Sequence, residues 1–132
     1  MATFMAFLNN QTYALMRMVA GFLFLWHGMQ KLFNYPPPGM PSLGQAPWHI
    51  TYVAGPIELV GGALVMIGLF TRYAAFLCSG LMAFAYWMAH GHKALLPIQN
   101  GGELAALYCF IFLFISTQGG NMWSLDSARG KR

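Results

Sequence analysis

Four long apolar runs dominate this chain. A run of about 20 such residues is the length of helix that crosses the hydrocarbon core of a bilayer. The runs cover residues 12–33, 50–70, 73–90 and 102–117. Each is expected to be helical, because hydrocarbon offers no partner to a free backbone N–H or C=O. A β-barrel is excluded, because apolar and polar residues do not alternate along the runs. The solvent follows from the charge content. Only 8% of the 132 residues are charged and 58% are hydrophobic, whereas a soluble domain carries about 25% charged residues. A water-soluble domain this small also needs a large polar surface, which three acidic and seven basic residues cannot cover. The lipid bilayer is the expected partner.

The joints divide the runs into one all-α domain over residues 1–132, an integral membrane, up-down-up-down four-helix bundle. Residues 34–49, NYPPPGMPSLGQAPWH, hold five of the seven prolines and form an outer loop. Thr71 and Arg72 are read as a tight hairpin between the second and third spans. Residues 91–101 separate the third from the fourth, and a tail follows over 118–132. With four spans, both termini share a side with the 71–72 hairpin. That side collects Arg72, Arg129, Lys131 and Arg132, with Arg17 close by, while the other holds Lys31 and Lys93. The positive-inside rule places the termini in the cytoplasm of a bacterial or archaeal inner membrane. Tyr35, Trp48 and Trp123 fit as interfacial anchors. No small-residue cleavage pattern follows the first run, so a removable signal peptide is not expected. The net charge of +4 is accounted for by topology and does not call for nucleic acid. Cys78 and Cys109 lie at depths that differ by roughly 10 Å, beyond disulfide reach, and are read as two buried thiols.

The stretch FLWHGMQKLF at residues 24–33 places polar groups within a strongly apolar run. Lys31 is near the outer end of its helix and can extend to the headgroups. His27 lies about a turn deeper, and Glu58 descends roughly 12 Å from the start of the second span. An ionisable group at such depth faces the bundle interior and needs a partner. His27 and Glu58 reach similar depth on consecutive antiparallel helices and are the expected pair. Gly55, Glu58 and Gly62 share one helical stripe, which lets a neighbouring helix come close and turns Glu58 inward. In the first span Arg17, Gly21, Phe24, Gly28 and Lys31 form a stripe, with His27 flanking it. Arg17, near the inner surface, is expected to pair with Asp126 or reach the phosphate layer. At the other outer joint, His90, His92 and Lys93 face Glu103, which the dipole of the fourth helix favours. The pattern HG, then K, a joint, then G and EL occurs in both halves and resembles a short internal duplication. The His27–Glu58 pair reads either as a register-fixing polar contact or as a site that passes a proton or hydrogen-bonds a ligand. A quinone ring suits the latter, given Phe24, Trp26, Tyr86 and Trp87 nearby. Neither haem nor a metal is expected from these side chains. No P-loop, dinucleotide-binding glycine pattern, CxxC pair or catalytic serine motif is present.

The stretches RMVAGFLFLWHGMQKLF, AGPIELVGGALVMIGLFTRYAAF, NGGELAAL and GGNMWSLD, in this order, resemble the DoxX family from about Arg17 to Asp126. The resemblance carries over to Arg17, His27, Gly28, Lys31, Glu58, Gly61, Gly62, Arg72, Glu103, Ser124 and Asp126. It implies a membrane component linked to redox systems, whose relatives act as subunits of quinone-linked oxidoreductases or sit beside detoxifying enzymes. On that basis His27, Lys31, Glu58, His90 and Glu103 are the candidate ligand or proton-relay residues. Arg17, Gly61, Gly62, Arg72 and Asp126 are the structural ones. Three functions remain open: a quinone-interacting subunit among other membrane subunits, a non-catalytic scaffold of a larger complex, and a small transporter. No electron carrier is evident in the chain itself.

Overall fold

The computed structural model describes residues 1–37 and 47–130, and every regular element among them is helical. A short helix, α1 (Ala2–Phe7), leads into α2 (Asn9–Phe33). Helix α3 (Ile50–Ile67) contains two π-helical turns, Ile50–Ala54 and Ile57–Gly61. Helix α4 (Thr71–Ala85) continues through a third π-helical turn, Tyr86–Gly91. A single turn, α5 (Pro97–Asn100), precedes α6 (Glu103–Gln118), and α7 (Leu125–Ala128) follows. Of the expected outer loop, residues 38–46 lie outside the described residues, as do Lys131 and Arg132 of the tail.

The break between α3 and α4 falls earlier than the Thr71–Arg72 pair. Gly68 adopts φ +72° as the cap of α3, and Phe70 is also left-handed at φ 49°. Thr71 and Arg72 therefore form the first turn of α4. A side chain at Gly68 is barred twice, by its φ and by the Arg17 guanidinium and Ser124 pressed against it.

Antiparallel packing of α2 on α3 depends on four glycines at heptad spacing. A Cβ placed on Gly21 would stand 2.5 Å from the Met66 backbone nitrogen, and one on Gly62 would stand 2.8 Å from that of Leu25. Gly28 meets the backbone of Leu59 and Gly55 in the same way. The two backbones thus touch along the crossing, as small residues allow. On the other side of the bundle α4 packs along α6. Aromatic rings bridge α2 to α6: Phe24 lies with its ring centre 5.2 Å from that of Tyr108 and 4.7 Å from that of Phe112. Val65, Ala75, Cys78 and Ile115 complete the solvent-free centre. Both cysteines are free thiols, Cys78 buried and Cys109 partly so.

The outer faces are as apolar as the core. Leu15, Val19, Phe22 and Leu23 on α2, Phe76 and Leu77 on α4, and Phe110 and Phe114 on α6 all stand exposed. Helix α3, 18 residues long with a mean hydropathy of 1.7, is long and apolar enough to cross a membrane, and α6 is a shorter apolar helix.

At the end of the bundle that carries Arg72, called inner for its place in the expected topology, side chains close helix termini whose backbone groups lack partners. Arg17, fully buried, donates to the Val65 and Met66 carbonyls at the end of α3 (2.6 and 2.8 Å) and to the Trp123 carbonyl (2.8 Å). It does not bond Asp126, contrary to expectation, because the open carbonyls of α3 take its donors first. Asp126 instead accepts from the N–H groups of Phe70 and Thr71 (2.9 Å each) and the Thr71 hydroxyl (2.8 Å), so it caps the start of α4. Arg72 donates to the carbonyls of Ser116 and Thr117 at the end of α6. The Tyr13 hydroxyl donates to the Gly119 carbonyl at 2.6 Å.

Two outcomes follow. Gly28→Val forces α2 off α3 and is expected to cost about 3 kcal/mol through overpacking, whereas Gly80→Ala, with open space around it, leaves stability unchanged or raises it by about 1 kcal/mol; thermal unfolding of the purified variants checks the contrast. The second concerns acid. Burial raises the Asp126 pKa, but the Thr71 N–H and hydroxyl, the Phe70 N–H and the nearby Arg129 charge outweigh it and hold the carboxyl below its ordinary value. Its stabilising contribution is therefore fully present above the unfolded value of about 4 and is lost as pH falls through the lower folded value. Asp126→Asn should flatten the melting-temperature profile in that acid window, and a profile unchanged from the parent would refute the capping role.

Candidate functional site

The glycine crossing decides which side chains meet near the outer end. Lys31 belongs to the same α2 stripe as Gly21 and Gly28, so it projects over α3. Glu58 lies between Gly55 and Gly62 on the facing stripe and is 2% exposed. The Lys31 ammonium contacts Glu58 Oε1 at 2.6 Å and Oε2 at 2.5 Å. This is the one ion pair among the described residues. The partner of Glu58 is thus Lys31 and not His27, and Lys31 turns inward to the carboxylate instead of outward to headgroups. His27 sits off the stripe, toward α6. Its ring meets Tyr108 edge-on with centres 6.1 Å apart, and it makes no hydrogen bond to Glu58 among the described residues.

Around this pair lies a cavity of about 550 Å3 between the outer halves of the long helices. Four of the five candidate residues, His27, Lys31, Glu58 and His90, are in its wall. Tyr108 and His49 add polar edges, while Phe24, Leu81, Met82, Phe84 and Met88 supply apolar surface. Glu103 is exposed at the start of α6 and is not part of the wall. The dipole of its own helix stabilises it there without a partner. His90 Nδ1 lies 3.0 Å from the Asn100 carbonyl oxygen.

Asn100, which the sequence offered only as a conceivable metal neighbour of His90, His92 and Glu103 and not as a site residue, organises this end of the chain. Buried to 4% exposure, its amide nitrogen donates to the Tyr86 hydroxyl and the Ala94 carbonyl (3.1 Å each). Its Oδ1 accepts from the Gly102 N–H at 2.8 Å, closing the start of α6. The signal was its place just before a Gly-Gly helix start. The suggested duplication finds no geometric echo. Lys93 and Glu103, the counterparts of Lys31 and Glu58, are both exposed and unpaired with each other. No group of three His, Cys, Asp or Glu side chains among the described residues is placed to hold a metal.

The arrangement offers a charged pair with one spare ammonium hydrogen, two half-buried imidazoles and a phenol, set in an apolar chamber. It can orient a small polar group by hydrogen bonds and hold a proton beside it. Residues 12–91 match the DoxX family model. The chain belongs to the DoxX family. Members of this family are generally membrane-associated. The chain is 39% identical over 117 residues to an uncharacterized protein of Haemophilus influenzae, covering 86% of this chain and 87% of that one. A second uncharacterized protein of the same organism is 29% identical over 108 residues, covering 77% and 68%. No solved structure matches. The family match spans α2, α3 and α4 with its π-helical extension, and so includes Lys31, Glu58, His27 and His90.

Breaking the pair tests whether it is a true charge pair. Lys31→Met leaves a buried carboxylate uncompensated and should cost about 3–5 kcal/mol, whereas Lys31→Met combined with Glu58→Leu recovers most of that loss. Unfolding of the two single variants and the double variant measures the coupling, and simple additivity would show that the groups do not act together.

Proposed function

We propose that this DoxX protein is a four-span inner-membrane subunit of a redox system that holds a quinone head group in the outer cavity. The observation that carries the reading is the buried Lys31–Glu58 pair in the wall of an otherwise apolar chamber of about 550 Å3. Ionisable groups at such depth are expensive and mark binding or proton paths by default. A quinone head is a flat apolar ring with two acceptor oxygens. Lys31 has a third N–H beyond the two directed at Glu58, and His27 and Tyr108 stand beside it as further donors. A chamber of this volume is typical of sites for small organic ligands. The chain's own residues would orient the head through the Lys31–Glu58 pair and exchange a proton at His27. The electrons come from a partner subunit.

The membrane setting is supported by the many large apolar side chains exposed on α2, α4 and α6, a pattern that marks membrane or protein contact when such residues are contiguous. Helix α3 qualifies as a span by itself. The start of α2, the start of α4 and the end of α6 lie together at the end carrying Arg72, so the positive-inside rule puts both termini in the cytoplasm.

The purified full chain, extracted gently in detergent, should carry quinone detectable by mass spectrometry of its extracted lipids. His27→Ala, and Lys31→Met combined with Glu58→Leu, should each deplete it by about tenfold or more, as expected when a buried hydrogen-bond donor to the ligand is lost. Full quinone retention in both variants, together with comigration with other subunits, would instead make the chain a scaffold.

A further inference from the structure

Among the described residues, the cavity wall is open along the seam between α3 and α4. Val53 on α3 and Phe84 and Met88 on α4 and its π-helical extension all line the chamber, yet they are 43%, 57% and 57% exposed on the outer surface. A side chain can do both only at the rim of an opening. The packing explains the gap. Helix α4 lies against the inner part of α3, Ile57–Ile67, whereas the outer turn Ile50–Ala54 packs on α2. The two helices thus part company toward the outer end. All three π-helical turns among the described residues border this region. The π-helical turn is rare, and functional sites are where it concentrates. The three seam residues Val53, Phe84 and Met88 are apolar, and the same faces of α4 carry Phe76 and Leu77 on the lipid side.

We propose that the seam between Val53 and Phe84–Met88 is a lateral portal through which the cavity takes its ligand from the bilayer, so that the ligand is a quinone with a long apolar tail. This rests on the quinone reading above for the identity of the head group. The ion pair and His27 lie at the deep end of the chamber, His49 and His90 line its opposite end, and the seam residues Val53, Phe84 and Met88 offer only hydrocarbon. A head enters to the ion pair while its tail stays in the seam and runs out among the lipid chains. A polar solute entering by the seam would find no partner for its oxygens there, whereas an apolar tail would find apolar contact.

Two measurements test this on the full chain in liposomes. In the wild type, a small apolar aryl diazirine dissolved in the lipid is photolysed and its adducts are located by mass spectrometry. Labelling of the half-buried wall residues Leu81 and Ala85, beside that of Phe84 and Met88, supports the portal. Labelling confined to lipid-facing residues such as Phe76 and Leu77 overturns it, whatever ligand the cavity binds. In Val53→Trp, which narrows the rim, affinity for a long-tailed quinone should fall about tenfold or more while affinity for the tail-less head stays within about twofold. Equal loss of both overturns the portal. Failure of the wild type to bind either quinone removes the quinone reading alone, and the portal then stands or falls on the labelling pattern.

Discussion

The contact of bare backbone between α2 and α3 is the constraint on which the rest depends. Gly21 and Gly28 on one helix meet Gly62 and Gly55 on the other, and a single methyl group at any of three of these positions would press into the opposing main chain. Such closeness fixes the azimuth of both helices. With the glycine stripes facing, Lys31 and Glu58 have no choice but to face as well, since each lies one turn from a contacting glycine. The salt bridge is thus a consequence of steric fit. The charges do not have to supply the association, which is fortunate, because a buried pair rarely repays its own desolvation.

The bundle has two unlike ends. At the inner end Arg17, Asp126, Arg72 and Tyr13 each satisfy the terminus of a helix other than their own. Long-range side-chain bonds of this kind hold four helix ends and the tail together and leave no room between them. At the outer end the helices are closed by local means: Asn100 caps α6, and Asn34 turns the end of α2 with a left-handed backbone. The long-range fastening ends at the Lys31–Glu58 pair. Above it the helices diverge and the chamber opens. Rigidity below and space above are two results of where the polar side chains were placed.

Much of this could be read from the residues. The helical class followed from the run lengths and the absence of alternation, and the family followed from the order of four short stretches. The two glycine stripes were also legible, because spacing of seven on each helix needs only the helical period. The partner of Glu58 was misread by reasoning from depth, at which His27 and Lys31 differ by one turn. The stripe already held the answer: Lys31 shares it with Gly21 and Gly28, while His27 does not. Azimuth outranks depth when two helices touch backbone to backbone. Arg17 and Asp126 were misassigned for a different reason. Opposite charges at one end suggest a pair, but an open helix terminus offers several aligned carbonyls or N–H groups, and these compete well against a single counterion. Asn100 and the π-helical turns left little trace, since the first depends on a loop fold and the second on tertiary packing.

Replacing His27 by Lys31 as the partner of Glu58 changes what the site can do. An imidazole beside a carboxylate forms a pair that trades one proton between groups of similar affinity. A lysine in that place makes a charge pair instead, with two ammonium hydrogens directed at the carboxylate. The pair is then a fixed dipole with one free N–H, better suited to orienting an acceptor oxygen than to conducting protons on its own. His27, without a bond to Glu58 and edge-on to Tyr108, stands apart from that pair, and on the proposed function it is the group that would exchange a proton. Such a division, with one pair to hold and one imidazole to exchange, fits a binding site visited by a neutral ligand that gains or loses hydrogen. It fits a free-standing proton channel poorly, since a channel needs a continuous file of exchangeable groups, whereas below Glu58 the interior is closed by Phe24, Cys78 and Phe112.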